Sequence, residues 1–243
     1  TLTKVYTKEP LLYNISGVCY KEIGQLDAAI KSFEKALAIK PDYTEVNYNL
    51  GLTLQELGKL DAAVKSYEKA VAVNPDYAEA HNNLGFTFKE LGQLEAAVEC
   101  YEKAISIQPD YAEAHNNLGI VFYKLGQLDT AIGCYEKALT LKPDYADAYA
   151  NRGNALRDLE QLDEAMASYE SAEALNPDLA FLSGDIYFSK MILCIWDDLP
   201  KHLNELTKKI NNNIKVVNPF AMLVMIDDPE IQRKTAEIYT NEV

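Results

Sequence analysis

The sequence predicts an all-α protein, a right-handed α-solenoid of five repeats closed by a C-terminal helical cap. Three observations carry that prediction. The 34-residue text at 78–111, AEAHNNLGFTFKELGQLEAAVECYEKAISIQPDY, can be laid over residues 10–179 five times without a gap, as 10–43, 44–77, 78–111, 112–145 and 146–179. Numbered from the first residue of each unit, position 20 is Ala29, Ala63, Ala97, Ala131 and Ala165, and position 27 is Ala36, Ala70, Ala104, Ala138 and Ala172. Position 24 between them is an aromatic ring, Phe33, Tyr67, Tyr101, Tyr135 and Tyr169. That spacing of i, i+4 and i+7 is the stripe of a helix, with small residues and one large ring interlocking with a partner helix.

Each element follows from the same text. Leu84, Gly85 and Phe88, at positions 7, 8 and 11, share one face of a first helix, and the glycine lets the second helix approach. Gly92 at position 15 marks the turn, and Pro109 at position 32 stops the second helix. First helices are expected at about positions 2–14 and second helices at about 18–31, for example Glu79 to Leu91 and Glu95 to Ile107, giving ten helices. Asp27, Asp61, Glu95, Asp129 and Asp163 at position 18 would open the second helices, where a carboxylate favours the positive end. Departures sit at the ends: Ser16 at position 7 of the first unit, and Arg152 and Glu160 at positions 7 and 15 of the fifth, as relaxed packing in terminal units predicts.

Residues 1–9 read as the end of a preceding repeat or an N-terminal extension, and 180–243 as a helical cap and linker. FLSGDIYFSKMILCIW is apolar on most faces and too short to span a membrane, so it is expected to cover the last repeat as a buried helix, with Trp196 inside. Leu203, Leu206 and Ile210 support a helix over about 200–210, broken by Asn211–Asn213. Asn218-Pro219 and Asp228-Pro229 each read as an N-cap followed by proline, opening helices over about 219–226 and 229–241.

These positions resemble the tetratricopeptide repeat, with its L-G-x-x-Y, A-x-x-x-F, A and P signature, over residues 10–179. The tail carries a second resemblance, through LCIWDD (193–198), NPFAML (218–223), DDPEIQ (227–232) and AEIY (236–239). It is similar to the segment joining repeats to the catalytic domain in bacterial proteins of the O-linked N-acetylglucosamine transferase and SPINDLY-like family. The resemblance implies a nucleotide-sugar-dependent catalytic domain beyond Val243, absent from this chain.

The net charge of −14 is concentrated in the repeats, where 14 Lys and Arg stand against 27 Asp and Glu. No basic stripe exists to neutralise phosphates, so nucleic acid is excluded as a partner and an anionic membrane is disfavoured. Cys100 and Cys134 share position 23, one repeat or roughly 10 Å apart, too far for a disulfide. The same spacing separates His81 and His115, so no shared metal site is expected. With no C-x-x-C pair, secretory signal or membrane-length apolar run, a reduced, cytoplasmic setting follows.

No phosphate-binding loop, nucleophile with base, metal set or cofactor motif is present, so the chain itself is not expected to be an enzyme, whatever its parent protein does. The functional candidate is the first-helix face at positions 2, 6, 9 and 13, which stacking would assemble into one groove, in this family the concave, ligand-facing side. Position 6 reads Asn49, Asn83, Asn117 and Asn151, with Ile15 in the first unit. A row of carboxamides offers donors and acceptors to an extended peptide main chain, resembling the asparagine ladder of the transferase family. The alternative is that these amides bond between neighbouring helices. Position 9 reads Val18, Leu52, Phe86, Ile120 and then Asn154, an apolar strip beside the amides or a packing face. The expected partner is a peptide or protein, bound by an enzyme's recognition region or by a free-standing adaptor. The sequence leaves the oligomeric state open. A chaperone-tail receptor of the carboxylate-clamp kind is a poor fit, because position 5 reads Asn14, Tyr48, Asn82, Asn116 and Ala150 rather than lysine.

Overall fold

The computed structural model describes residues 9–195, 197 and 199–240, and among these it contains fourteen helices and no strand. The first ten alternate as helix pairs: α1 (Pro10–Glu22), α2 (Leu26–Ile39), α3 (Thr44–Glu56), α4 (Leu60–Val73), α5 (Ala78–Glu90), α6 (Leu94–Ile107), α7 (Ala112–Lys124), α8 (Leu128–Leu141), α9 (Ala146–Asp158) and α10 (Leu162–Leu175). Four more follow: α11 (Leu182–Ile192), α12 (Leu199–Asn211), α13 (Pro219–Met225) and α14 (Pro229–Thr240). The fold is an α-solenoid of consecutive antiparallel pairs. Its helices start and stop within a few residues of the positions the repeat text predicts. The chain divides into two compact units, Thr1–Val121 and Phe122–Val243, the division falling inside α7.

In the first unit α1 packs on α2, α3 on α4 and α5 on α6, and α2 and α4 pack on the first helix of the following pair. What sets the close approach within a pair is the glycine at position 8. A Cβ added to Gly51 would stand 2.6 Å from the Tyr67 ring, and one added to Gly17 would stand 2.4 Å from Phe33. Both rings are fully buried, so neither has room to move aside. The turns inside the pairs share one geometry. Gly58, at φ +69°, donates its N–H to Gln55 O, and Lys59 donates to Leu54 O, which satisfies the last carbonyls of α3 in a Schellman closure. The predicted carboxylates occupy the first turns of the second helices, Asp27, Asp61 and Glu95 among them, as charge at the positive helix end rather than as caps. Successive pairs are latched through position 4: Asn47 Nδ2 lies 3.2 Å from Pro41 O, His81 Nε2 3.0 Å from Pro75 O and His115 Nε2 3.1 Å from Pro109 O.

In the second unit α8 packs on α9, α9 on α10 and α10 on α11. Tyr169 lies under Gly153 as Tyr67 does under Gly51. At position 15 Glu160 takes the same left-handed turn as the glycines, φ 62°, with the same pair of closing bonds, Glu160 N to Arg157 O and Gln161 N to Leu156 O. The terminal unit therefore keeps the backbone of the others although its side chain is unsuited to it. Arg152, at the leucine position, turns its guanidinium onto Ser168 Oγ at 3.0–3.1 Å.

After residue 179 the repeat text is lost but its geometry persists for one more helix. α11 ends at position 13 of a sixth unit, as the earlier first helices do, and Cys194 at position 15 is left-handed (φ 57°). Ile195 N–H then bonds Lys190 O at 2.9 Å to complete the closure. α10, α11, α12 and α13, with Ile231 of α14, share one core: Tyr169, Ala172, Leu182, Ile186, Leu206, Ile210, Met222 and Ile231 are all buried. The link between α12 and α13 runs extended across the start of α11, where Phe181 N–H donates to Lys215 O (2.9 Å) and Gly184 N–H to Val216 O (2.7 Å). Asp228 caps α14, accepting from Glu230 N at 2.9 Å. Trp196 lies outside the described residues.

Candidate functional site

The sequence-predicted residues lie on the first helices, and in the first unit the structure brings six of the seven onto one face. Asn49 comes from α3, Asn83 from α5 and Asn117 from α7, each half-buried. Each amide nitrogen reaches back to position 5 of the preceding first helix. Asn49 Nδ2 donates to Asn14 Oδ1 (3.3 Å), Asn83 Nδ2 to Tyr48 Oη (2.9 Å) and Asn117 Nδ2 to Asn82 Oδ1 (3.2 Å). The asparagines thus tie successive first helices together, and the bond fixes each amide's orientation. Each amide nitrogen spends one of its two hydrogens inside the protein, which leaves the second hydrogen and the carbonyl oxygen as the groups that can meet a ligand; Asn83 Oδ1 takes one long contact from Asn82 Nδ2 at 3.5 Å.

Beside the amides lie Leu52, Phe86 and Ile120, all half-buried. Leu52 and Phe86 line an open hollow with Lys21, Gln55, Glu56, Leu60 and Glu90. Its apolar floor is partly covered, since Lys89 Nζ sits 4.3 Å from the centre of the Phe86 ring. The rim carries two ion pairs, each between a half-buried lysine and an exposed glutamate, Lys21 with Glu56 (3.8 Å) and Lys89 with Glu90 (3.1 Å). Behind it, Gln55 Oε1 accepts from both Tyr67 Oη (3.0 Å) and Thr87 Oγ1 (3.2 Å). Val18, exposed on α1, continues the apolar positions.

Asn151 belongs to the second unit and lines a different hollow of about 390 Å³. Its walls include Tyr123, Asp147, Asn154, Arg157, Asp185 and Tyr239. Arg157 Nη1 bonds Asp185 Oδ1 at 2.8 Å and Nε bonds Asp158 Oδ1 at 3.3 Å, while Tyr123 donates to the other oxygen of Asp158. Burial pushes the Asp185 carboxyl above its ordinary range, against the downward pull of the Arg157 guanidinium. Asn154 accepts from Tyr169 Oη at 2.8 Å and is therefore a structural amide.

Sequence reasoning did not find Tyr48 and Tyr77 in the first unit or the Arg157–Asp185 pair in the second. Tyr48 packs its ring 4.9 Å from Tyr77 and 5.9 Å from Tyr67, centroid to centroid. Position 5 changes residue type from unit to unit, so no periodic signal marks it. The charged pair joins α9 to α11 across the point where the repeat text stops. Among the described residues no group of three His, Cys, Asp or Glu is placed to hold a metal ion, the four cysteines are free thiols, and no helix is long and apolar enough to cross a membrane.

Stacked antiparallel helix pairs with a polar row on the first helices define a class of protein, the helical-repeat interaction scaffold. The comparisons make the membership specific. Models of the TPR repeat match residues 17–58, 54–92, 87–126 and 121–156, and the tetratricopeptide repeat model matches 146–179. The chain belongs to the tetratricopeptide repeat family. Comparison with curated proteins finds no match. Among solved structures it is similar to the MamA protein, at 30% identity over 70% of this chain and 92% of that one, with a TM-score of 0.65. It is also similar to YrrB, described as a TPR protein with an unusual peptide-binding site, at 21% identity, covering 73% of this chain and 93% of that one, TM-score 0.63. A third is PilF of Pseudomonas aeruginosa, at 20% identity, covering 94% and 97%, TM-score 0.73. The last two show likeness of fold.

Proposed function

We propose that the chain is a peptide-recognising scaffold whose first-helix face holds an extended segment of a partner protein. The observation that carries this reading is that Asn49, Asn83 and Asn117 are each held by a bond from the amide nitrogen to the preceding first helix; in this reading their oxygens serve as a row of acceptors for main-chain N–H groups. Leu52, Phe86 and Ile120 lie beside that row to take apolar side chains, and Asn151 supplies an equivalent amide in the second unit. Five repeats over 10–179 form the recognition region, and 180–243 closes it. YrrB, a relative in fold, has a peptide-binding site by its description.

The tail motifs favour placing this scaffold in a bacterial protein O-glycosyltransferase of the O-linked N-acetylglucosamine transferase and SPINDLY-like kind, as its substrate-recognition region. Two of those motifs serve as helix starts, NPFAML opening α13 and DDPEIQ capping α14. A free-standing adaptor, acting in the cytoplasm with no attached enzyme, is the second reading, favoured by similarity to MamA over 92% of that chain. Sequencing the parent gene downstream of Val243 separates the two.

The recognition reading is tested by panning random dodecamer peptides against the full chain and measuring the enriched peptides by fluorescence anisotropy on the Asn83→Ala, Asn117→Ala double variant. About two main-chain bonds would be lost at roughly 0.5–1.5 kcal/mol each, or on the order of fivefold to a hundredfold in affinity. Unchanged affinity with a lowered melting temperature would assign the amides to helix pairing alone.

A further inference from the structure

The loops before α3, α5, α7 and α9 each carry a tyrosine at position 34, and the repeats differ in what lies over its ring. In the first repeat Lys40 Nζ sits 4.8 Å from the centre of the Tyr43 ring, and in the fourth Lys142 Nζ sits 4.7 Å from that of Tyr145. Both lysines stand at position 31. In the second repeat that position is Asn74, whose side chain is used elsewhere, its Oδ1 accepting from Asp76 N at 3.3 Å. The tyrosine concerned, Tyr77, stays partly exposed and is backed by the Tyr48 ring. Two exposed carboxylates accompany it, Glu45 at the start of α3 and Glu79 at the start of α5. Burial, with those charges and Tyr48, pushes the Tyr77 hydroxyl up to about 12. Tyr48 in turn accepts from Asn83, so the ring pair is fixed to the amide row.

We infer that the first unit selects partners carrying a lysine or arginine, whose cationic end seats on the Tyr77 ring between Glu45 and Glu79 while the adjoining main chain lies on the asparagine row. This rests on the peptide-recognition reading and adds a side-chain preference to it. The physical case is that an aromatic face attracts a cation most when carboxylates flank it, and that the protein itself places an ammonium over the equivalent ring in two other repeats. The strong acidity of the repeats adds a longer-range attraction for a basic segment.

The test turns the protein's own lysine into a competitor. In the Asn74→Lys variant the new side chain should lie over Tyr77 as Lys40 does over Tyr43; Asn74→Gln controls for loss of the bond to Asp76. Random dodecamers are panned on the wild-type full chain, and an enriched peptide is made in labelled form with lysine and with norleucine at the basic position. The expected result is enrichment of Lys or Arg at one register and about tenfold weaker binding of the norleucine peptide. Asn74→Lys should weaken the lysine peptide by a similar factor and leave the norleucine peptide unchanged, with Asn74→Gln affecting neither. Glu45→Gln with Glu79→Gln should weaken the lysine peptide and flatten its salt dependence. If peptides bind without basic preference and are lost on Asn83→Ala, Asn117→Ala, recognition stands and the cation seat is overturned. A lysine peptide indifferent to Asn74→Lys overturns it equally, and a chain that enriches no peptide overturns both.

Discussion

The Tyr101 hydroxyl is buried and has no hydrogen-bond partner, although the equivalent hydroxyls of Tyr67 and Tyr169 reach Gln55 and Asn154. The cause is one residue on the facing helix: the place of Gln55 is taken in the third repeat by Lys89, which lies over Phe86 and pairs with Glu90. A buried hydroxyl without a partner is destabilising, and Phe33 shows that the same slot accepts a bare ring. Tyr101→Phe should therefore be neutral or raise stability by up to about 1 kcal/mol, whereas Tyr169→Phe, which strands Asn154, should cost about 1 kcal/mol. Chemical denaturation of the two variants checks the contrast, and equal losses would mean that Tyr101 has a partner. At this scale the sequence was informative where a residue type recurs. The stripe Ala97, Tyr101, Ala104 announced its own burial, whereas Asn83, expected on the face opposite the packing stripe, is half-buried and bonded to Tyr48. Tyr48 gave no such signal, because position 5 varies in residue type, and Tyr77, although tyrosine recurs at its position 34, gains its importance only from the contact with Tyr48.

Among the elements, the turns between paired helices show backbone geometry overruling residue preference. Gly24, Gly58, Gly92 and Gly126 all adopt φ near +70°, and Glu160 is held in the same well at φ 62° by the same two closing bonds. A side chain in the left-handed region costs on the order of 1 kcal/mol, which glycine does not incur. Glu160→Gly should raise stability by about that amount, or a few degrees in Tm, because the closing bonds are unchanged. A lowered Tm would show that the Glu160 side chain contributes more than its backbone costs. The reverse experiment concerns a position where space, not φ, demands glycine. Gly51→Ala would set a methyl group 2.6 Å from the buried Tyr67 ring, and overpacking should outweigh the better helix propensity by about 1–2 kcal/mol. The ten repeat helices were legible because their punctuation, proline at 32 in all five units and glycine at 15 in the first four, is written in the text. α11 was harder to place in register, since Cys194 stands where the other turns have glycine, and only the backbone reveals the equivalence.

At the scale of the molecule, a stack of helix pairs has to cover the apolar face of its last layer, and the second unit does so with a core that no single repeat contains. Ile186 and Tyr187 of α11 lie against the Tyr169 and Ala172 layer of α10, and Leu206, Ile210, Met222 and Ile231 close over them from three further helices. The link between α12 and α13 is bonded to the start of α11 at Phe181 and Gly184, and a methyl group on Gly184 would stand 2.8 Å from the Val217 backbone. None of this was periodic, which is why the sequence announced a helical cap but not the extended strap across it. Two variants test whether the cap is one cooperative body with the last repeat. Ile186→Ala empties space between α10 and α11 and should cost about 2–5 kcal/mol, and Gly184→Ala should cost about 1–3 kcal/mol by forcing the strap off α11. Deleting residues 180–243 removes the cover altogether, so the remaining array should melt at a lower temperature and bind a hydrophobic dye through the exposed layer of α10. If the truncated array keeps its melting temperature and stays monomeric and dye-free, the last repeat is self-sufficient and 180–243 is an appended domain rather than a cap. If Ile186→Ala and the deletion each lower the melting temperature of the array, the stability of the last repeat depends on a surface supplied from beyond the repeat text.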